Sequence, residues 1–171
     1  MKMKHLDRSQ QRIKIRHGLK PGDLGYITYL HGILYAREYG FDATFEPYVA
    51  MPLGEFALAS EKNTQRIWIA EMAQEIVGSV AIVRHSDKVA QLRWLLVHPG
   101  SRGQGLGKRL VREAVGFCKD SGYQRVFLWT VSDLKAAIHL YDSFGFRKTE
   151  EKFHKVWGLM LTEERYELNF R

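Results

Sequence analysis

The residues with the clearest chemical potential lie in the stretch 98–110, which reads HPGSRGQGLGKRL. Three glycines alternate with larger residues between Arg102 and Lys108, after an apolar strand-like run and before an amphipathic helical pattern. A glycine-rich turn at the start of a helix exposes backbone N–H groups and the positive end of the helix dipole, and both attract anions. The stretch therefore predicts a phosphate-binding loop. The alternative is a glycine-rich loop that merely starts a helix.

The spacing of these glycines excludes the two commonest phosphate loops. The dinucleotide-binding pattern GxGxxG fails because the third glycine, Gly107, comes one residue early. The ATP/GTP pattern GxxxxGK[ST] fails because Arg102 stands where its first glycine would be and Arg109 follows Lys108. We therefore expect neither a Rossmann nor a P-loop site.

The elements that must position this loop predict an α/β fold with a mixed sheet. Short connections between the second, third and fourth strands predict an antiparallel meander, and later strand–helix–strand units complete the sheet. We expect no internal repeat and no linker. The apolar periodicity predicts strands at 13–19, 66–72, 76–85, 90–98, 125–131 and 164–170, and helices at 24–39, 44–59, from 106 onward and at 134–144.

Capping and helix-breaking residues set the predicted ends of these helices. Asp23 is the expected N-cap of the first helix and Gly40 its stop, and Gly122 can end the third. Pro47 and Pro52 weigh against an unbroken second helix, because proline lacks the backbone N–H that a helix interior needs.

Length and cysteine content limit the architecture. A chain of 171 residues suits one domain with a substantial core, which we place at 13–171 after a polar extension over 1–12. Cys118 is the single cysteine, so an internal disulfide framework and a multi-cysteine metal site are excluded. We expect no metal, and we expect Cys118 to be a buried, inert thiol.

Charge and hydropathy limit the partners. The formal net charge of +7 suits an anionic ligand, but no recognition helix or RNA-binding signature points to nucleic acid. No apolar run is long enough to cross a bilayer, and the first residues lack the apolar segment of a signal peptide. We therefore expect a cytoplasmic protein without a membrane or nucleic-acid partner.

Two motifs resemble the GNAT family of N-acetyltransferases. The run LLVHP followed by SRGQGLGK resembles the family's acyl-CoA pyrophosphate loop, in which an Arg or Gln is followed by two variable residues, Gly, a variable residue and Gly or Ala. The register that opens at Arg102 and continues through Gly105 and Gly107 obeys that spacing. The run AAIHLYDSFGF resembles the signature A-x-x-L-Y-x-x-x-G-F at Ala137, Leu140, Tyr141, Gly145 and Phe146. The resemblance implies the GNAT fold over residues 13–170.

The resemblance also implies acetyl-CoA as co-substrate and a place for it. In the family, the strand before the loop splays from its neighbour at a bulge, and its exposed backbone pairs with the pantetheine arm. Leu96 and Val97 would make those contacts here, and a backbone N–H near them would polarise the thioester carbonyl. The pyrophosphate would lie against Arg102, Gly103, Gln104, Gly105, Leu106, Gly107 and Lys108.

The implied catalytic acid is Tyr141, whose phenol would protonate the departing thiolate, although the same residue could simply be a core aromatic. Two positions depart from the family pattern. Leu134 stands where many members have asparagine, and Gln91 stands where many have the glutamate that serves as base. Glutamine cannot take a proton near neutral pH, so the identity of the base stays open. Glu71 or a histidine could act as base through water, or the amine could arrive neutral and need no base.

The resemblance implies an acceptor pocket built mainly from the first two helices and the loop between them. Glu38 could attract a cationic amine there, and Tyr35 and Tyr39 could line an aromatic slot. Equally, the tyrosines could only pack and Glu38 could only face water. The stretch 22–41 resembles the acetyltransferase half of bacterial proteins that join a regulator to this domain.

These observations predict an acetyl-CoA-dependent N-acetyltransferase that acetylates a primary amine of a small-molecule or protein acceptor. The alternative is a member that binds acyl-CoA without catalysis and serves as a sensor or partner. Homodimers are common in the family, so the resemblance also allows a homodimer here.

Overall fold

The computed structural model describes residues 12–59 and 63–170, which form a seven-stranded sheet with helices on both faces. The predicted polar extension lies almost wholly outside the described residues. The elements are β1 (Lys14–His17), α1 (Asp23–Tyr39), α2 (Phe45–Leu58), β2 (Arg66–Met72), β3 (Glu75–Arg84), β4 (Val89–Val97), α3 (Leu106–Asp120), β5 (Arg125–Val131), α4 (Lys135–Ser143), β6 (Arg147–Val156) and β7 (Leu159–Asn169).

The strand order β1-β2-β3-β4-β5-β7-β6 confirms the mixed sheet. β2, β3 and β4 form the predicted antiparallel meander, and β1 extends it by pairing antiparallel with β2. β4 and β5 are parallel, and β7 is antiparallel to both β5 and β6. Because β3 is covered on both faces, its Val80 and Ala81 are both fully buried, one in each of two apolar cores. One core holds the buried face of α3, and the other holds those of α1 and α2.

No helix in the described ranges is long and apolar enough to cross a bilayer.

Two strand predictions were wrong at the C-terminal end. β6 was not predicted, and β7 begins at Leu159 rather than at residue 164. The cause is that β6 is an edge strand, exposed along most of its length, and its sequence RKTEEKFHKV carries no apolar alternation. Charged side chains of this kind are typical of an edge strand that must not pair with another chain.

The helix ends also differ in part from expectation. The N-cap of α1 is Gly22, and Asp23 is the first helical residue. The Asp23 carboxylate instead accepts the backbone N–H of Lys20 at 2.6 Å and the guanidinium of Arg16 at 2.9 Å. α2 runs unbroken through both of its prolines. Gly40 caps α1 as predicted.

A gap between β4 and β5 opens the sheet where chemistry can occur. The two strands pair only at Val89–Gln91 and then diverge, although both continue further. β4 carries a bulge at this point, where Trp94 has a φ of 51° and its carbonyl accepts the buried Ser79 hydroxyl at 2.7 Å. The bulge turns β4 away from β5, and the predicted phosphate loop follows at the end of β4.

Candidate active site

Two cavities meet at the opening between β4 and β5. The larger has a volume of about 380 Å³ and lies between the end of β4, the glycine loop and the first turn of α3. The smaller has a volume of about 90 Å³ and lies on the side of α1, α2 and β7. Tyr35, Leu95 and Leu134 line both cavities. The site therefore has two compartments joined at the splayed strands.

The glycine loop presents bare backbone to the larger cavity. Gly103 and Gly105 have φ values of 75° and 74°, a conformation that side chains disfavour. Gly105 is the N-cap of α3 and no side chain caps this helix, so the first amides of α3 have no helical acceptor. A Cβ added at Gly107 would lie 3.2 Å from Leu140 Cδ2. The cavity is therefore narrow at this point, and a glycine keeps it open. The positive φ values of the two loop glycines and the unpaired first amides of α3 together give the backbone geometry of an anion-binding nest.

Two further polar groups favour a phosphate at this loop. Lys108 lines the larger cavity, as does Ser101, which is 1% exposed. Within the described ranges the Ser101 hydroxyl has no hydrogen-bond partner, and a buried hydroxyl normally has one. Sequence reasoning missed Ser101 because a serine in a loop carries no specific signal. Gln104 is exposed and does not line the cavity.

Arg102 does not present a free charge at the rim of the cavity. Its two terminal nitrogens donate to the two carboxylate oxygens of Glu38, both at 2.8 Å, and its Nε donates to the Val97 carbonyl at 3.0 Å. Glu38 lines the larger cavity and neutralises Arg102, so its attraction of a cationic amine stays a prediction. The pair ties α1 to the loop.

The backbone groups at the end of β4 divide between two directions. The N–H of His98 donates to the Val77 carbonyl of β3 at 2.8 Å. Because backbone groups of successive residues in an antiparallel strand alternate in direction, those of Leu96 also face β3. Those of Leu95 and Val97 face the opening. The pantetheine contact of Leu96 and Val97 stays a prediction; the Val97 backbone faces the opening, whereas the Leu96 backbone faces β3.

Eight aromatic side chains contribute to the wall of the smaller cavity. The turn between β6 and β7 closes it, because the Trp157 carbonyl accepts the Asp42 N–H at 3.1 Å and the Trp157 ring lies 4.8 Å from that of Phe45. Trp157 (φ 50°) and Gly158 (φ 81°) form the two-residue turn with positive φ that tight hairpins favour. The aromatic lining residues are Tyr35, Phe41, Phe45, Tyr48, Trp94, Trp129, Tyr141 and Trp157.

Tyr141 lies on α4 and lines the smaller cavity close to the junction of the two compartments. Its side chain is 6% exposed and packs against Phe146, with 5.8 Å between the ring centroids. Burial raises the pKa of the Tyr141 phenol, and the nearby Tyr35 raises it further. The phenol therefore stays protonated at neutral pH and can donate a hydrogen bond.

Comparison with known proteins decides the family. The chain matches the sequence model of the acetyltransferase (GNAT) family over residues 30–146, which is more than half of its length. The chain belongs to the GNAT family. Human N-acetyltransferase 8B is 38% identical over 99 residues, which cover 55% of this chain and 44% of that protein. The chain thus spans less than half the length of the curated relatives it matches.

Solved structures show the same GNAT fold. A Salmonella typhimurium protein, solved with its cofactor acetyl-CoA, has a TM-score of 0.73 at 19% identity and covers 92% of this chain and 93% of its own. Spermidine N-acetyltransferase from Vibrio cholerae, solved with CoA and spermine, has a TM-score of 0.69 at 20% identity and covers 92% of this chain and 95% of its own. The finer resemblance to regulator fusions stays a prediction.

The structure separates the acceptor residues predicted for this GNAT protein. Tyr35 lines both cavities, Gln91 lines only the smaller one and Tyr39 lines only the larger one. Glu71 lines neither, because its carboxylate accepts the Arg16 Nε at 2.7 Å. Its role as base stays a prediction, and its position away from both cavities does not support it. In the described part of the chain no three His, Cys, Asp or Glu residues are grouped to hold a metal ion.

Sequence reasoning missed several polar residues of the smaller cavity, among them His31, Arg93 and Glu163. His31 is 3% exposed, and its Nδ1 donates to the Ile27 carbonyl at 2.8 Å. Burial lowers the pKa of His31 to about 4, so the ring is neutral and its Nε2 is an acceptor. Nε2 has no partner among the described residues. A lone histidine in an apolar helix carries no signal for this placement.

Proposed function

We propose that this GNAT protein is an N-acetyltransferase that transfers the acetyl group of acetyl-CoA to a primary amine. The observation that carries the proposal is the junction of two compartments, one with an anion-binding loop and one with aromatic walls and a carboxylate. The same fold binds acetyl-CoA in the Salmonella protein and CoA with spermine in the Vibrio enzyme. Both compartments open on Tyr35 and Leu95, so the two reactants would meet there.

The residues of the larger cavity fit the pyrophosphate and the arm that follows it. The first amides of α3 and the Ser101 hydroxyl would donate to phosphate oxygens, and Lys108 would supply positive charge. The backbone groups of Val97 would pair with the pantetheine arm. Val97, Ser101 and Lys108 all line the larger cavity.

At the junction, each chemical task has a candidate group. Acetyl-CoA, when bound, supplies a thioester whose carbonyl carbon bonds to the amine nitrogen as its bond to sulfur breaks. The Leu95 N–H would donate to the carbonyl oxygen. Tyr141 would donate a hydrogen bond, and then its proton, to the departing sulfur. Glu163, which lines the acceptor cavity, would take the proton that the amine loses.

The alternative, binding of acyl-CoA without catalysis, accounts less well for the second compartment. A sensor needs only the larger cavity. The buried phenol of Tyr141 and the carboxylate of Glu163 face a separate space beside it.

Calorimetric titration with acetyl-CoA, with CoA, ATP and NAD as controls, tests the binding half of the proposal. Saturable binding of acetyl-CoA and CoA, with little response to ATP or NAD, is expected. Release of the CoA thiol in the presence of an amine panel then separates the enzyme from the sensor. Absence of acetyl-CoA binding would refute both functions, and binding without acceptor-dependent thiol release would favour the sensor.

A further inference from the structure

Arg93 is a guanidinium without a carboxylate partner at the smaller cavity. It lies on β4, lines the cavity and is half-buried. Its charged group lies over two of the aromatic rings, 5.2 Å from the centroid of Trp94 and 5.7 Å from that of Tyr48. No carboxylate of the described residues is within ion-pair distance of it. An arginine held in place by rings and left unpaired is suited to bind an anionic group of a ligand.

Glu163 brings the opposite charge to the same cavity. It lies on β7 opposite Val131 of β5, and its side chain is 16% exposed. One oxygen, Oε2, is hydrogen-bonded to Nε2 of His154, which fixes the orientation of the carboxylate. The other oxygen, Oε1, has no hydrogen bond or ion pair to a residue of the described ranges. It is suited to accept from an ammonium group.

Tyr48 lies within the electrostatic reach of both charged groups. Burial raises the pKa of the Tyr48 phenol, the Arg93 charge lowers it, and the Glu163 charge raises it. Arg93 and Glu163 nonetheless do not form an ion pair with each other. Both side chains line one cavity of about 90 Å³, so a small molecule bound there would lie beside both charged groups.

Two unpaired ring nitrogens indicate that the ligand is polar at one end. His31 Nε2 and Trp94 Nε1 are buried at this cavity and have no hydrogen-bond partner within the described ranges. One is an acceptor and the other a donor. A wholly apolar amine would leave both unsatisfied, which carries a free-energy cost.

We infer that the acceptor is a small amino acid, whose carboxylate binds Arg93, whose amino group binds Glu163 and whose apolar side chain packs against the aromatic wall. The inference rests on the proposed function and names its substrate class. A zwitterion supplies a carboxylate to Arg93, which has no carboxylate partner, and an ammonium group to the free Oε1 of Glu163. A simple amine would meet only Glu163 and would leave Arg93 unneutralised beside it.

Matched pairs of acceptors that differ only in the carboxylate test this inference. L-Leucine is compared with isoamylamine, and L-phenylalanine with phenethylamine, as acceptors for acetyl-CoA in the wild-type protein and in Arg93→Met. We expect kcat/KM to favour the amino acid of each pair. Arg93→Met should reduce that preference roughly 10- to 100-fold, the usual worth of a hydrogen bond to a charged group. Arg93→Lys should restore part of it.

Arg66→Met is the control, because Arg66 also stacks on a ring, 4.5 Å from Phe117, but lines neither compartment. It should leave the preference unchanged. Preference for the amine of each pair, or an equal loss for both members in Arg93→Met, would overturn the inference while the proposed function stands. If no probe is acetylated, leucine binding is measured by the quenching of tryptophan fluorescence. Saturable quenching that Arg93→Met abolishes supports the inference, and absence of quenching overturns it.

Discussion

Tyr141 is both a core aromatic and a lining residue of the candidate site. It packs beside Phe146 and also lines the smaller compartment, where the proposed function assigns it the role of acid. Tyr141→Phe keeps the packing and removes only the hydroxyl. We therefore expect kcat to fall by about 100-fold or more, the usual contribution of a positioned acid, with little change in the KM for acetyl-CoA. Steady-state thiol release measures both parameters.

Tyr166→Phe is the matched control for that variant. Tyr166 is equally buried and lines neither compartment, and its hydroxyl donates to Glu164 at 3.0 Å. Its loss should lower the free energy of unfolding without changing kcat. Equal kcat values for Tyr141→Phe and the wild-type protein would exclude Tyr141 as the acid.

His31 makes the stability of the protein depend on pH. Its pKa is 6.5 in the unfolded chain and about 4 in the fold, because burial disfavours the charged ring. The depressed pKa means that its contribution is complete above pH 6.5 and is lost as the pH falls towards 4. Protonation below the folded pKa would cost roughly 3 kcal/mol of unfolding free energy. His31→Asn should therefore flatten the pH dependence between 6.5 and 4, as measured by urea unfolding.

The exposed His17 of β1 supplies the comparison for this pH effect. His17→Asn should retain the steep acid limb of the wild-type profile. If His31→Asn retains it as well, the buried ring is not its source.

At the scale of elements, α3 contains two glycines that serve different purposes. A Cβ on Gly107 would meet Leu140 at 3.2 Å and Val97 at 3.7 Å, within the larger compartment, whereas a Cβ on Gly116 would meet nothing within 4 Å. Gly116→Ala should raise the free energy of unfolding by about 0.5–1 kcal/mol through helix propensity. Gly107→Ala gains the same propensity but narrows the compartment, so acetyl-CoA affinity should fall by about tenfold, measured by calorimetry. Equal affinities in the two variants would contradict this placement of the acyl-CoA arm.

The sequence predicts those elements whose apolar residues face a core. The helices and the meander follow from their periodicity, and the glycine loop follows from its spacing. β6 could not be predicted because an exposed edge strand needs no apolar face. Pro47 does not interrupt α2, because it lies in the first turn, where a backbone N–H has no helical hydrogen bond to lose.

The candidate site is predictable only where a short motif carries it. The loop around Gly105 and the signature Tyr141 are of this kind. Arg93 and Glu163 are not, because they reach one cavity only after β5 has placed β4 on one side and β7 on the other. Cytoplasmic localisation and a homodimer stay predictions.

At the scale of the whole molecule, the larger compartment is lined by residues of α1, β4, the glycine loop, α3 and α4. Because α1 packs on one face of the sheet and α3 and α4 pack on the other, a ligand in this compartment would contact elements from both faces. A ligand that binds only the folded chain stabilises it by about 2.7 kcal/mol at a concentration of 100 times Kd. For a chain of 171 residues this predicts a rise in Tm of roughly 5 to 10 °C. Acetyl-CoA should produce that rise in a thermal unfolding scan, NAD at the same concentration should not, and Gly107→Ala should require a higher acetyl-CoA concentration for the same effect. A wild-type Tm that does not move at saturating acetyl-CoA would mean that the loop, the splayed strands and α4 do not form one binding site, whatever each resembles alone.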